Sequence, residues 1–302
     1  MAALFGDPNP LHMDRSASRT VGCDLGLVNR GPTSIAFVMN GLLEHCAESG
    51  LEISRLKVRL RSPVQGTDCV VFTGRIAKAG STVPSPAQPP PSSGDDVYCE
   101  VWLDRVDGRR AIDGVAVLRG NGQAQPAELL AGLGSASGNY SSAWPGVSLC
   151  ARPDSRNTTG VPDPEDGLRK EAFRKLSASN YEIKGETHDY VMPLLQAPTL
   201  KQGQAHPIFA YYAAQAAFGP RVDAMYSQLG VDHSTGMLLG EVELHLARQI
   251  HIGEVLGVYA RIGAPARKSG RSGKFSTILQ EVWLHDSHGT VAFLAVTLII
   301  PA

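Results

Sequence analysis

Residues 100–108 read EVWLDRVDG, and residues 281–289 read EVWLHDSHG. The two Glu-Val-Trp-Leu strings are each followed by a glycine five residues after the leucine, Gly108 and Gly289. An apolar run comes next in both places, over residues 114–118 and 291–300. Apolar alternation interrupted by a D-x-x-D-G or D-x-H-G turn reads as a β-hairpin. The same hairpin written twice in one chain marks an internal repeat.

The match extends upstream. Residues 56–76 alternate apolar and polar side chains around a turn at 63–66, and residues 242–262 do so around a turn at Gly253. Before each alternating stretch lies an unusually apolar helical segment, residues 32–48 (PTSIAFVMNGLLEHCAE) and residues 207–228. Each opens on proline, which the first helical position tolerates because that N–H has no partner within the helix. A helix apolar on all sides needs enclosure. Each half is therefore one long helix followed by three or four antiparallel strands, and a sheet wrapped around the helix packs those parts economically. The fold class predicted is α+β, a double hotdog with two antiparallel sheets, each around a central helix. Its divisions are a first repeat at 1–120, a linker at 121–162 rich in Gly, Ser, Ala, Asn and Pro, and a second repeat at 163–302. A proline-rich loop is expected at 82–96, and a capped surface helix at 163–181.

Composition narrows the function. The chain has 302 residues, 28 Lys+Arg against 29 Asp+Glu and a net charge of -1. Sequence-independent nucleic-acid binding needs a basic footprint that this balance lacks. No apolar run reaches the ~18 residues of a membrane helix, and the first residues do not read as a secretory signal. The five cysteines have no C-x-x-C spacing. They read as reduced, buried thiols, from which a cytoplasmic location is expected.

The chemistry is written at the start of the chain, in Gly6-Asp7-Pro8-Asn9-Pro10-Leu11-His12. After it come Asp14, Ala17, Gly22-Cys23-Asp24, then Asn29-Arg30-Gly31 before the first helix, and Pro63-Val64 with Gly66. This series resembles the MaoC-like dehydratase family, which includes the R-specific enoyl-CoA hydratases, and the resemblance covers residues 1–118. It implies reversible hydration of 2-enoyl thioesters, or dehydration of 3-hydroxyacyl thioesters, in fatty acid metabolism. By that resemblance Asp7 accepts a proton from water, and His12 holds the water and helps deliver a proton to C2. Hydration of a conjugated thioester needs such an acid–base pair. Asn9 braces the turn, as Asn does by side-chain hydrogen bonding. The resemblance also makes Gly31, at the helix N-terminus, the backbone donor for the enolate-like oxygen, where the helix dipole favours negative charge. The implied partner is an acyl thioester on coenzyme A or on acyl carrier protein. No organic cofactor or metal is implied, no nucleic acid or membrane partner is expected, and a homodimer is compatible with the family.

Departures from the family pattern accompany the match. Only six residues precede Asp7, where the family has a strand and part of a helix. Arg30 stands where the family often has His; it either binds a carboxylate or phosphate of the substrate or lies at the surface. The second half lacks the D-x(4)-H motif and resembles the non-catalytic repeat of double-hotdog hydratases. Its His206, His245 and His251 lie on separate elements without metal-ligand spacing. Two alternatives stay open: a non-catalytic acyl-binding or partner subunit, and a hotdog thioesterase. The latter usually carries a carboxylate on the central helix, and here Ile35 to Leu43 holds none.

Overall fold

The computed structural model describes residues 7–20, 23, 26–47, 49–76, 96–120, 173–219, 222–232, 234, 236–270 and 273–301. The expected linker, most of the proline-rich loop and Cys150 lie outside the described residues. In chain order the helices are α1 (Arg15–Thr20), α2 (Gly31–Ala47), α3 (Gly185–Leu194), α4 (Ile208–Gln215) and α5 (Val222–Leu229). The first-half strands are β1 (Leu51–Leu60), β2 (Val70–Ile76), β3 (Asp96–Arg105) and β4 (Arg110–Gly120). The others are β5 (Phe173–Lys175), β6 (Ser179–Glu182), β7 (Leu238–Leu246), β8 (Val255–Gly263), β9 (Ala266–Gly270), β10 (Gly273–Asp286) and β11 (Gly289–Pro301).

The two Glu-Val-Trp-Leu strings lie on β3 and β10, each in an antiparallel hairpin with the next strand. Their turn glycines, Gly108 and Gly289, have φ of 81° and 132°, a region where a Cβ is disfavoured. The strand order β2-β3-β4-β1 in one half matches β8-β10-β11-β7 in the other.

The two sheets expected from the repeat are one. β1 pairs with β7 antiparallel, from Arg55–His245 to Arg59–Glu241, so a single 11-stranded sheet runs through both halves. On the side facing the helices, Leu56 and Val58 meet Leu244 and Val242, all buried. On the other side Lys57 reaches Glu241 and Glu243 at 3.3 Å each, and Arg55 and His245 also contact Glu243. Burial pushes the Glu243 carboxyl up, yet its bond from His245 and the charges of Arg55, His245 and Lys57 prevail and hold it low. A slip of one residue would turn these charges onto the apolar face, so the seam specifies its register.

Helix α2 packs against β1 and α4. Its Ile35, Ala36, Val38 and Met39 are fully buried. The second helix departs from the expected continuous span over 207–228. It stops at Gln215, turns through a 3-10 segment (Ala216–Phe218) and resumes as α5. Gly219, at φ 126°, leaves the helical region at the end of the 3-10 segment.

The surface helix expected at 163–181 is also corrected where the chain is described. Residues 173–175 and 179–182 are β5 and β6, paired to β8. The backbone of edge strand β8 takes these segments, and Phe173 is covered by the Arg261 guanidinium at 4.7 Å. Among the cysteines, Cys23, Cys46 and Cys99 are buried free thiols, whereas Cys69 is exposed.

Candidate active site at the N-terminus of α2

The loop carrying the motif is held by its own side chains. The Asn9 backbone N–H donates to Asp7 Oδ1 at 3.1 Å, and the Leu11 N–H donates to Asn9 Oδ1 at 3.1 Å. Proline at the start of the following 3-10 turn (Pro10–His12) fixes φ where no intrahelical N–H is needed. Leu11 O accepts from the Val28 N–H, which fastens the loop to the approach of α2. Asp14 is exposed and its Oδ1 accepts from Ser16, opening α1; it takes no place in the site.

Asp7 and His12 converge. His12 Nδ1 lies 2.8 Å from Val28 O and therefore carries the proton, which leaves Nε2 with its lone pair when the ring is neutral. That Nε2 is 3.7 Å from Asp7 Oδ2. This is too long for a direct hydrogen bond and short enough for one water molecule to touch both atoms. Burial holds His12 below the ordinary imidazole range, opposed by the Asp7 charge and the Val28 carbonyl. The ring is thus neutral near pH 7 and able to accept a proton.

Arg30 is not at the surface. It is 4% exposed, and its Nε–H donates to Asp7 Oδ2 at 2.7 Å. The surface alternative for Arg30 is thereby overturned. One carboxylate receives the Asn9 N–H on one oxygen and the guanidinium on the other, beside the imidazole. Gly31 opens α2 one residue later. The Thr33 and Ser34 N–H groups are taken by the Arg30 carbonyl at 3.0 and 3.3 Å, while no partner to the Gly31 N–H is found among the described residues.

The second half completes the surroundings, which the motif does not announce. Asn9 Nδ2 donates to Met237 O at 2.8 Å. Leu239 packs over Gly31 so closely that a Cβ there would meet its Cδ2 at 2.6 Å. Leu238 packs against the cluster of Leu11, Cys23 and Val28. Tyr211, Tyr212 and Tyr226 are buried, and all three feel the charge of Arg30. Burial is the main cause that raises their hydroxyls, so they remain protonated donors. The sequence signal for Tyr211 and Tyr212 is a Tyr-Tyr pair within an otherwise apolar helix; Tyr226, on α5, has none.

The corresponding place in the second half is different. The Asn29 N–H bonds Val64 O just as the Ala205 N–H bonds Ile250 O, and the bridge Val28–Gln65 matches Gln204–His251. This register sets His206 opposite Arg30 and Pro207 opposite Gly31. His206 is fully buried; its Nε2–H donates to Asn40 Oδ1 at 2.9 Å and its Nδ1 accepts from the Ile208 N–H at 3.1 Å. Asn40 Nδ2 in turn donates to Leu195 O at 2.7 Å. His245 bonds Glu243 on the far face of the sheet, and His251 is exposed. The three histidines are not brought together.

No family model matches the sequence, and no curated protein matches it. Solved structures do. A protein from Chloroflexus aurantiacus J-10-fl described as a MaoC domain protein dehydratase aligns with TM-score 0.55 and 11% identity, over 99% of this chain and 89% of that chain. A Mycobacterium tuberculosis protein with a double hotdog fold, essential for bacterial survival during infection, aligns with TM-score 0.51 and 11% identity, over 99% of this chain and 89% of that one. A MaoC-like dehydratase aligns with TM-score 0.51 and 11% identity, over 100% and 92%. The chain therefore has the double-hotdog fold found in MaoC-like dehydratase structures. No helix among the described residues is long and apolar enough to cross a membrane.

Proposed function

We propose that this protein is a hydro-lyase that adds water to, or removes it from, an acyl thioester. Hydration of a 2-enoyl thioester to the 3-hydroxyacyl thioester is the reaction. The observation that carries the reading is the convergence of Asp7 Oδ2 and His12 Nε2, 3.7 Å apart, with Gly31 opening α2 one residue after the Arg30 that bonds Asp7. A water touching both atoms loses a proton to the pair as its oxygen bonds C3. The pair returns a proton to C2, so H and OH are added across the double bond. Charge accumulating on the thioester oxygen is met by the Gly31 N–H and the positive end of the α2 dipole. Arg30 holds the Asp7 carboxylate in position through a charge-assisted bond. The likeness to MaoC-like dehydratases supports the same chemistry. In this reading the first half carries the reacting groups, and the second half supplies the walls, through Tyr211, Tyr212, Tyr226, Met237 and Leu239.

Thioester hydrolysis is less well served. Glu44 is the carboxylate on α2, and it is exposed rather than turned into the core. A purely acyl-binding role leaves the buried Asp7–Arg30–His12 group without a purpose. The experiment is hydration of crotonyl-CoA, following enoyl absorbance against release of free thiol. Asp7→Asn keeps the shape and removes the base, and kcat should fall by roughly 10²–10⁴. Hydration by Asp7→Asn at close to the parent rate would overturn the proposal, and thiol release in place of hydration would reassign the protein as a thioesterase.

A further inference from the structure

Residues 264–276 read APARKSGRSGKFS, with four basic residues and no acidic one, in a chain of net charge -1. Strand β9 and the start of β10 form a projecting ribbon here, paired from Ala266–Thr277 to Gly270–Gly273. Arg267, Lys268 and Lys274 are exposed on it. None of these three has a carboxylate partner among the described residues. The catalytic proposal makes no use of them.

The ribbon projects from the end of the sheet that holds the candidate site. Leu238, Ile299, Thr277 and Ala266 lie in one row across β7, β11, β10 and β9. At the β7 end of the row, Met237 holds Asn9 and Leu239 covers Gly31. At the other end, Arg267 and Lys268 follow Ala266 by one and two residues, and Lys274 precedes Thr277 by three. Three strand spacings make the row about 14 Å wide, and the basic side chains lie about 3–10 Å beyond it. That separation is about the length of five extended residues, roughly 17 Å, which an extended phosphopantetheine arm also spans. All five residues of β9 are exposed, whereas a nucleotide site is concave. An exposed basic surface instead suits an acidic protein surface, through charge complementarity that steers encounter.

We infer that the β9–β10 ribbon is a docking surface for an acidic acyl carrier protein that presents the acyl thioester on its phosphopantetheine arm. The inference rests on the thioester chemistry proposed above. The test is the charge-reversed variant Arg267→Glu/Lys268→Glu/Lys274→Glu, with Arg267→Gln/Lys268→Gln/Lys274→Gln as a second variant should the first not fold. Binding is measured by fluorescence anisotropy with a hexanoyl-loaded acyl carrier protein, whose saturated chain cannot react. Kd should rise roughly tenfold or more in the variant, and the parent's Kd should weaken with added salt. Turnover of 2-hexenoyl acyl carrier protein should fall by a similar factor in kcat/KM, while 2-hexenoyl-CoA stays within about twofold of the parent. An unchanged Kd overturns the inference, and so does an equal loss with the CoA substrate, which would put the CoA phosphates on the ribbon. A parent enzyme that binds the loaded carrier protein through the ribbon but hydrates neither thioester would leave docking intact and refute only the reaction.

Discussion

Arg30 and Asp7 form an ion pair in which the guanidinium is 4% exposed and the aspartate 8%. The Nε to Oδ2 distance is 2.7 Å, and His12 Nε2 lies 3.7 Å from the same carboxylate oxygen. A charge buried this deeply is tolerable only with its partner in place. The pair is therefore a structural element and an electrostatic setting for the candidate base at once.

Removing one member should expose that dependence. Arg30→Met leaves the Asp7 carboxylate without its cation, and loss of one partner of a buried pair costs about 3–5 kcal/mol. The combined Arg30→Met/Asp7→Asn protein should lose less than the sum of the single losses, because the interaction is counted in both. Urea denaturation of the four proteins measures the cycle. Additive losses would show that the two groups are not coupled.

Asn9 joins the Asp7–His12 loop to the other half of the chain. Asn9→Ala removes the donor to Met237 O and the acceptor for the Leu11 N–H, both in a buried setting. A loss of about 1–3 kcal/mol follows from leaving such groups unsatisfied. The reaction rate should fall as well, since Asp7 loses the turn that aims it. A thermal melt with parallel crotonyl-CoA kinetics would reveal a stability loss without a rate loss, which would separate the loop brace from the chemistry.

Gly31 is closed over by Leu239, so the smallest enlargement collides with the second half. Gly31→Ala should cost about 1–3 kcal/mol as overpacking and displace the start of β7. Adding Leu239→Ala removes Cδ2 and Cγ, which a new Cβ would meet at 2.6 and 3.2 Å, and leaves the residue 239 Cβ at 2.8 Å. A loss in the double variant smaller than the sum of the two single losses, read by chemical denaturation, is the expected result; an undiminished Gly31→Ala variant would contradict the packing.

His206 makes a prediction about acid. Burial first, and then the neighbouring His188, lower its imidazole to about 3. The unfolded chain takes up that proton near pH 6.5, so the folded state is disfavoured progressively as pH falls from there toward about 3. The contribution is complete above the unfolded value and shrinks by up to about 1.4 kcal/mol per pH unit below it. His206→Gln should be less stable at neutral pH and show a shallower decline of stability in this window. Parallel pH dependences of parent and variant would remove His206 as the source.

Local patterns in the sequence carry a definite part of this protein. The hairpins at 100–118 and 281–300 follow from alternation and from glycines at turns that need positive φ. The first helix follows from its proline start and unbroken apolar run. The loop Asp7–His12 follows from prolines that stiffen it and an asparagine that hydrogen-bonds its own backbone. All of these depend on interactions between residues close in the chain, which is what periodicity and spacing record. The joining of the halves into one sheet depends instead on β1 meeting β7, nearly two hundred residues on, and no local pattern specifies a partner at that distance. Gly219 was visible as a residue, but that α4 ends at Gln215 and the chain turns at Gly219 with a φ of 126° was decided by the fold. Arg30 was legible as a cation beside the helix start; that it turns inward to Asp7 and is buried was decided by tertiary packing. Burial makes the unpaired charge costly, and only the folded chain supplies both the enclosure and the partner.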